Sequence, residues 1–128
     1  MILDTSAVVA IVFREPEEND FVHRIGAAAT VGIGAPTLAE IAIVLAARLG
    51  RESQRLLSLF VERAGIVVVP FDSAHWQLAA DAWLRYGRGR HPAGLNLGDC
   101  LAYATARLAG RSLLCKGDDF PKTDLALA

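Results

Sequence analysis

Two kinds of apolar segment alternate along the chain. Four short, continuously apolar runs are typical of β-strands, and each is followed by polar residues, glycine or proline: residues 1–3, 30–34, 66–70 and 112–115. The longer segments have helical spacing and run over residues 6–12, 36–49, 51–64, from a cap at Asp72 or Ser73 to Leu84, and over 97–108. Strands without polar alternation are typical of parallel sheets covered on both faces. The pattern therefore predicts an α/β sandwich with a central, mostly parallel sheet.

The length and composition limit the classes of protein to consider. A chain of 128 residues is a normal length for one domain, so we expect a single domain over residues 1–128. An apolar share of 53% and a mean hydropathy of +0.35 exclude a disordered chain and indicate a well-filled core. The formal net charge of −1 lacks the basic surplus of a typical nucleic-acid binder and, taken alone, counts against that class.

The sequence pattern does not indicate a targeting segment or a cysteine-based site. The apolar opening MILDTSAVVAIVF contains Asp4 and no basic stretch before it, so a signal peptide is not expected. No apolar run approaches the roughly 18 residues of a membrane span. Cys100 and Cys115 lack CxxC spacing and a histidine ligand pattern, so we interpret them as two small buried side chains in a reducing compartment. We therefore expect a cytoplasmic protein with no membrane segment.

Carboxylates follow two of the predicted strands. Asp4 ends the first strand and is the only charged residue from Met1 to Phe13, although it is equally suited to cap a following helix. Asp118 and Asp119 follow the fourth strand in KGDDF, where a solvated acidic turn is the ordinary interpretation. We expect the first and fourth strands to be central, which would bring these acids to the carboxyl-terminal edge of the sheet.

Two further carboxylates stand near helix starts. Glu40 is the only charge between Ile25 and Ala47, and no basic residue lies within a turn of it. Its alternative role is a first-turn acid that complements the helix dipole. Asp99, in LNLGDCLAYA, has the alternative role of a capping-box acid if Asn96 caps the helix.

The joint arrangement of these acids is more informative than any one of them. In a doubly wound parallel sheet, strand ends and the following helix starts face one edge. Four carboxylates gathered there would repel each other unless a cation were bound. Because the set has only oxygen donors, it suits Mg²⁺, which takes one or two carboxylates directly and retains several waters. Such sites perform phosphoryl chemistry. A serine or cysteine nucleophile lacks support, since His23, His75 and His91 have no local motif around them.

Four segments together resemble one known family. The segments MILDTSAVVAIV, PTLAEIAIVLAAR, GLNLGDCLAYATAR and LLCKGDDFPKTDL are similar, in order and over essentially the whole chain, to VapC-type toxins of the PIN-domain ribonuclease family. The resemblance implies a PIN-like α/β/α sandwich and an endoribonuclease that needs Mg²⁺ or Mn²⁺. It also implies a homodimer that is held inactive by a cognate VapB-type antitoxin.

The resemblance also assigns individual residues. Asp4, Glu40 and Asp99 match the first three acids of the family, with Asp4 and Asp99 as the direct metal ligands. For the fourth acid we favour Asp118, with Asp119 as the alternative. The family's hydroxyl residue beside the first acid is matched by Ser6, which would orient a water or a phosphate. The implied reaction is attack by metal-activated water on a phosphodiester of RNA, with tRNA or rRNA as substrate, leaving a 5′-phosphate and a 3′-hydroxyl.

Basic residues indicate where RNA would bind. Arg85, Arg88 and Arg90 lie in an acid-free stretch that includes the glycine-rich loop 87–94, and arginine is well suited to phosphate oxygens. Arg85 has an alternative role in complementing the dipole of a helix end. Lys116 is a further candidate for phosphate binding, with a solvated turn lysine as its alternative. The charge distribution, unlike the net charge, keeps nucleic acid among the possible ligands.

Other interpretations stay open at this point. The helices predicted over residues 36–49 and 51–64 are apolar enough for dimer or antitoxin contacts, but plain core packing explains them equally well. A phosphoacceptor domain similar to receiver domains also has acids at strand ends and a lysine near the last strand, and acetyl-phosphate labelling would identify one. A catalytically inert PIN-fold binding module is the third possibility.

Overall fold

The four apolar runs pair into one parallel sheet. In the computed structural model, which describes residues 1–128, the strands are β1 (Ile2–Leu3), β2 (Gly32–Gly34), β3 (Val67–Val69) and β4 (Leu113–Leu114). Their order across the sheet is β3-β2-β1-β4, and every pairing is parallel. This confirms the predicted α/β fold with a parallel sheet.

Six α-helices and one 3₁₀ turn connect the strands. They are α1 (Thr5–Val12), α2 (Glu18–Ala27), α3 (Ala35–Leu49), α4 (Glu52–Arg63), α5 (Ser73–Tyr86), α6 (Leu97–Ala109) and η1 (Phe120–Lys122). Apart from α2, the predicted α-helices end within two residues of these bounds. No helix is long and apolar enough to span a membrane.

Helix α2 has no counterpart among the predicted segments. Its sequence, ENDFVHRIGA, is largely polar, and Phe21 is its only buried residue. A helix that buries one side chain leaves almost no apolar periodicity in the sequence. The helix is anchored through Phe21, which belongs to the core on its side of the sheet.

The expectation that β4 is central is wrong, because β1 and β2 occupy the middle of the sheet and β4 forms an edge. The error has a physical cause. The two residues of β4 are buried although the strand is at the edge, since the chain end covers it: Leu113 N–H donates to Ala126 O at 2.9 Å, and Ala128 N–H donates to Leu113 O at 2.9 Å. What matters for the site is that β4 is hydrogen-bonded to β1.

The core is divided by the sheet into two layers. Ile2 belongs to the layer formed with α5 and α6, whereas Leu3 belongs to the layer formed with α1 to α4. Successive strand side chains point to opposite faces, so both residues of this short strand are buried. The first residue after β1 is Asp4, and it is therefore held at the edge between the two layers.

Candidate active site

Asp4 is buried where β1 ends. Its backbone N–H donates to Leu114 O at 2.9 Å, which ties it to the end of β4, and only 4% of the residue is exposed. The carboxylate accepts hydrogen bonds at Oδ2 from Ser6 N–H at 2.9 Å and from Ser6 Oγ at 2.5 Å, so Asp4 is also the N-cap of α1. Burial raises the pKa of Asp4 despite these bonds to its ionised form.

Ser6 joins the ends of the two strands. Its Oγ donates to Asp4 and accepts a hydrogen bond from Lys116 N–H at 2.9 Å. The hydroxyl proton is therefore used by Asp4, and one acceptor direction is used by the backbone after β4. In this arrangement Ser6 positions the first acid.

Glu40 lies in the second turn of α3, half-buried, beyond the first turn where the helix dipole favours an acid. Burial raises the pKa of Glu40, a hydrogen bond with the Thr5 side chain lowers it, and the charge of Asp4 raises it further. Gly98 of α6 faces this carboxylate, and a Cβ at that position would overlap Glu40 Oε2. The first turns of α1 and α6 thus enclose the Glu40 carboxylate.

Asp99 both caps its own helix and belongs to the acid cluster, which are the two roles that the sequence left open. As the N3 residue of α6 it forms a capping box, in which Asn96 N–H donates to Asp99 Oδ2 and Asp99 N–H donates to Asn96 Oδ1, each at 2.9 Å. Its pKa is nevertheless raised to about 6, mainly by burial and also by the negative charges of Asp4, Asp119 and Glu40. The structure therefore brings Asp4, Glu40 and Asp99 together at one edge.

Asp119, rather than Asp118, is the charge after β4 that acts on this cluster. Asp119 contributes to the raised pKa of Asp99, whereas Asp118 is not among the charges that shift the other acids. Both side chains are exposed. Asp119 directly precedes η1, whose Phe120 is buried, so its backbone is held by the core.

No basic side chain neutralises the acidic edge, which is the cluster of Asp4, Glu40, Asp99 and Asp119. None of Asp4, Glu40, Asp99 and Asp119 forms an ion pair with a basic side chain. Lys116, which follows β4 closely, has its Nζ 2.6 Å from Glu15 Oε2 and 2.9 Å from Glu17 Oε2. It is thus occupied by two glutamates that follow α1.

The donor chemistry of this edge fits a hard divalent cation. All of its charged groups are carboxylates. Burial raises the pKa of Asp4, Glu40 and Asp99, and the charges of neighbouring acids raise it further for Glu40 and Asp99. No three acidic, histidine or cysteine side chains close around a single point. Mg²⁺ accepts one or two carboxylates and keeps several waters, so this set of donors is compatible with it.

The candidate RNA-binding arginines differ in their surroundings. Arg85 donates from Nη2 to Tyr86 Oη at 2.8 Å and lies 3.3 Å from Asp124 Oδ2, so it is already paired. Arg88 is exposed and forms no ion pair, and the guanidinium of Arg90 lies 4.5 Å from the ring centroid of Trp83. Loop 87–94 is closed at its base by an isolated bridge between residues 87 and 95, next to the cap of α6.

Three residues of the site are not predicted by the sequence. Thr5 is not marked because any hydroxyl residue beside Asp4 could serve as a helix cap. Gly98 is not marked because a glycine in the first turn of a helix does not by itself indicate a functional site. Cys115 faces the cluster, where burial and the charges of Asp4 and Asp99 raise its pKa to about 12. The thiol is therefore protonated at neutral pH, and the expectation of a small buried side chain is met in part, since Cys115 is half-buried and Cys100 is buried.

Comparison with known proteins agrees with this geometry. The PIN domain family matches residues 1–125. Ribonuclease VapC36 of Mycobacterium tuberculosis is 44% identical over 126 residues, covering 98% of this chain and 91% of the relative. Ribonuclease VapC of Mycolicibacterium smegmatis is 40% identical over 126 residues, covering 98% of each chain.

Solved structures share the fold. Mycobacterium tuberculosis VapC20, described as a sarcin-ricin loop cleaving toxin, has a TM-score of 0.79 at 16% identity, covering 99% of this chain and 97% of that one. VapBC2 of Rickettsia felis, bound to a DNA fragment from its promoter, also gives 0.79 at 16% identity, with coverage of 99% and 96%. The chain belongs to the VapC-type toxins of the PIN-domain ribonuclease family, which makes it a nuclease.

Proposed function

We propose that this protein is the toxin of a toxin–antitoxin pair and a Mg²⁺-dependent endoribonuclease, with Mn²⁺ as an alternative ion. The observation that carries the proposal is that Asp4, Glu40 and Asp99 meet at one edge without a basic partner. Burial and the neighbouring negative charges raise the pKa of Asp99 to about 6, and a bound cation would relieve both effects. The family relationship supports the ribonuclease class, since VapC36 and the Mycolicibacterium protein are named as ribonucleases.

Four carboxylates have distinct roles in this proposal. Asp4 and Asp99 would hold the ion, because Asp4 is fixed by Ser6 and Asp99 by the cap of α6. When bound, Mg²⁺ lowers the pKa of a coordinated water and offsets negative charge on a phosphate. Glu40 and the fourth acid orient the attacking water. We place Asp119 in that fourth position in preference to Asp118, because only Asp119 acts electrostatically on Asp99.

The chain itself arranges Glu40 for this task. Its carboxylate lies near Thr5 of α1 and against Gly98 of α6, so residues of two helices surround it. A carboxylate with a raised pKa is also a better proton acceptor than an ordinary one near neutral pH. The water would attack a phosphodiester in line, giving a 5′-phosphate and a 3′-hydroxyl.

Protein partners would use the outer face of α3 and α4. These helices contribute Ile41 and Leu57 to the core yet expose Ile43 and Leu56, so core packing accounts for only part of their apolar surface. We propose contacts with a VapB-type antitoxin and a homodimer in this region, in a cytoplasmic protein. Support comes from relatives of the same fold that are described as a toxin–antitoxin complex and as VapBC2.

The test is RNA cleavage by purified protein. Total RNA should be cut in Mg²⁺ and stay intact in excess EDTA, and end mapping would show whether tRNA or rRNA is the target. Asp99→Asn should abolish cleavage, whereas Asp20→Asn, an exposed acid of α2, should not. Equal cleavage with and without EDTA would contradict the proposal. Mg²⁺ should also raise the melting temperature of the wild type but not of Asp99→Asn.

Two rival functions predict other results. A phosphoacceptor domain would be labelled by acetyl phosphate at an aspartate and would not cut RNA. An inert PIN-fold module would bind RNA without cleaving it and would not arrest growth on expression. A toxin should arrest growth, and co-expression of its antitoxin should relieve the arrest.

A further inference from the structure

Both tryptophans of the chain line one cavity between α5 and the start of α6. The cavity has a volume of about 370 Å³, and every residue that lines it is hydrophobic. Trp76 is 58% exposed, Trp83 42% and Leu97 73%. A patch of this kind on a small protein is typical of a binding surface.

The cavity adjoins the acidic edge. Leu97 and Cys100 line it, and both belong to the first turn of α6 together with Asp99. Gly98, which confines Glu40, lies between Leu97 and Asp99. The cavity and the acidic edge therefore lie on different sides of the same first turn of α6.

Two arginines lie beside the Trp83 side of the cavity. The guanidinium of Arg90 lies 4.5 Å from the ring centroid of Trp83, and Arg88 is exposed two residues earlier. No acidic residue lines the cavity, and none occurs between Ala82 and Gly98. Aromatic faces beside unpaired arginines are the combination that single-stranded RNA recognition uses: bases stack on the rings, and the cations contact phosphates.

We propose that this cavity is a subsite for one unpaired nucleobase of the RNA, next to the cleaved bond. Trp76 and Trp83 supply the stacking surface, and Arg90 contacts an adjacent phosphate. The inference rests on the proposed ribonuclease function and deepens it by assigning this cavity to one base that is free to leave the stack. Bases in a continuous duplex are stacked on each other and do not enter such a cavity.

Intrinsic fluorescence provides a direct binding test, because the chain has two tryptophans and both lie in the cavity. Asp99→Asn protein in Mg²⁺, used to prevent cleavage, would be titrated with decauridylate and with a ten-unit abasic chain of equal charge. Decauridylate should change the tryptophan emission to saturation, and the abasic chain should leave it unchanged. An equal response to both chains would overturn the subsite.

Cleavage kinetics give a second, independent test. Trp83→Leu should lower kcat/KM on single-stranded RNA at least about fivefold, whereas Trp83→Phe keeps a ring and should stay within about threefold of wild type. Trp76→Leu repeats the test at the second ring if Trp83→Leu fails to fold. Val22→Ser, at an exposed apolar residue on α2, is the matched control and should not change cleavage.

The alternative occupants are distinguished by the same variants. If sedimentation shows that Trp83→Leu converts a dimer into a monomer, the cavity is a contact between copies of the chain and the nucleobase proposal is wrong. If only antitoxin binding is lost while RNA kinetics are unchanged, it is also wrong. If the subsite tests fail while the wild type still cleaves RNA in Mg²⁺, only the subsite proposal is wrong and the ribonuclease function stands. Absence of any cleavage by the wild type would overturn that function, and the subsite with it.

Discussion

Gly98 and Glu40 are packed so closely that the first has no room for a side chain. A Cβ at Gly98 would overlap Glu40 Oε2, and Glu40 is confined on another side by the Thr5 side chain. The contact joins the first turn of α6, which carries Asp99, to the second turn of α3, which carries Glu40. The Glu40 carboxylate can lie this close to the first turn of α6, and so to Asp99, because Gly98 has no Cβ.

Gly98→Ala should therefore impair catalysis more than folding. The added methyl group displaces the Glu40 carboxylate, and misplacement of a catalytic group by about 1 Å costs up to about 100-fold in rate. We expect kcat to fall at least tenfold with little change in KM, measured by steady-state cleavage of RNA. Gly26→Ala in α2 is the control, because no atom lies near its added Cβ. Equal kcat for both variants would contradict the proposed role of the contact.

Asp99→Asn should stabilise the metal-free protein at neutral pH. The change removes a charge that burial and three other acids oppose, while the amide oxygen retains the cap on Asn96. The expected gain in free energy of unfolding is about 1–2 kcal/mol, reduced from the full shift because solvent reaches the side chain. Urea unfolding in EDTA at pH 7.5 measures it. A loss of stability there would contradict the repulsion.

The same repulsion predicts a pH dependence. The pKa of Asp99 is about 6 in the folded protein and 3.8 in the unfolded chain, so the unfolded state releases this proton first as the pH rises. The contribution of Asp99 to stability is present below about pH 4 and is lost as the pH rises through 6. The advantage of Asp99→Asn in EDTA should grow across that window. A difference independent of pH would show that the charge of Asp99 is not the cause.

Ser6→Ala should loosen the link between β1 and β4. The variant leaves Asp4 without its hydroxyl donor and Lys116 N–H without its acceptor, and such losses cost about 1–3 kcal/mol at partly buried sites. We expect lower thermal stability and weaker Mg²⁺ binding, measured by thermal melts with and without the ion. Ser58→Ala on the exposed face of α4 is the control, which should match the wild type.

Replacement of Arg88 and Arg90 by Ala should weaken RNA binding more than replacement of Lys116 by Gln. The two arginines are free of ion pairs, whereas Lys116 is held by Glu15 and Glu17. For the double arginine variant we expect KM to rise about tenfold and to depend less on salt concentration. For Lys116→Gln we expect KM to change less than threefold. Circular dichroism would verify that both variants fold. The reverse order of effects would move the RNA path towards Lys116.

Local patterns along the chain were sufficient for the fold class and most elements. Apolar continuity predicted the four strands, and the caps at Asp72 and Asn96 predicted where α5 and α6 begin. Lone charges in apolar surroundings predicted Asp4, Glu40 and Asp99, because a buried charge stands out from its neighbours. These features depend on residues within a few positions of each other, so the sequence displays them directly.

Tertiary structure decided the remainder, because the deciding contacts join distant segments. The burial of β4 at the sheet edge depends on the chain end pairing with Leu113. The ion pairing of Lys116 depends on glutamates about a hundred residues earlier in the chain. The contribution of Asp119, but not Asp118, to the raised pKa of Asp99 likewise depends on how the chain folds after β4. Spacing in the sequence identifies which side chains are acidic or basic. Only folding sets the distances between them, and Coulomb interactions and steric exclusion depend on those distances.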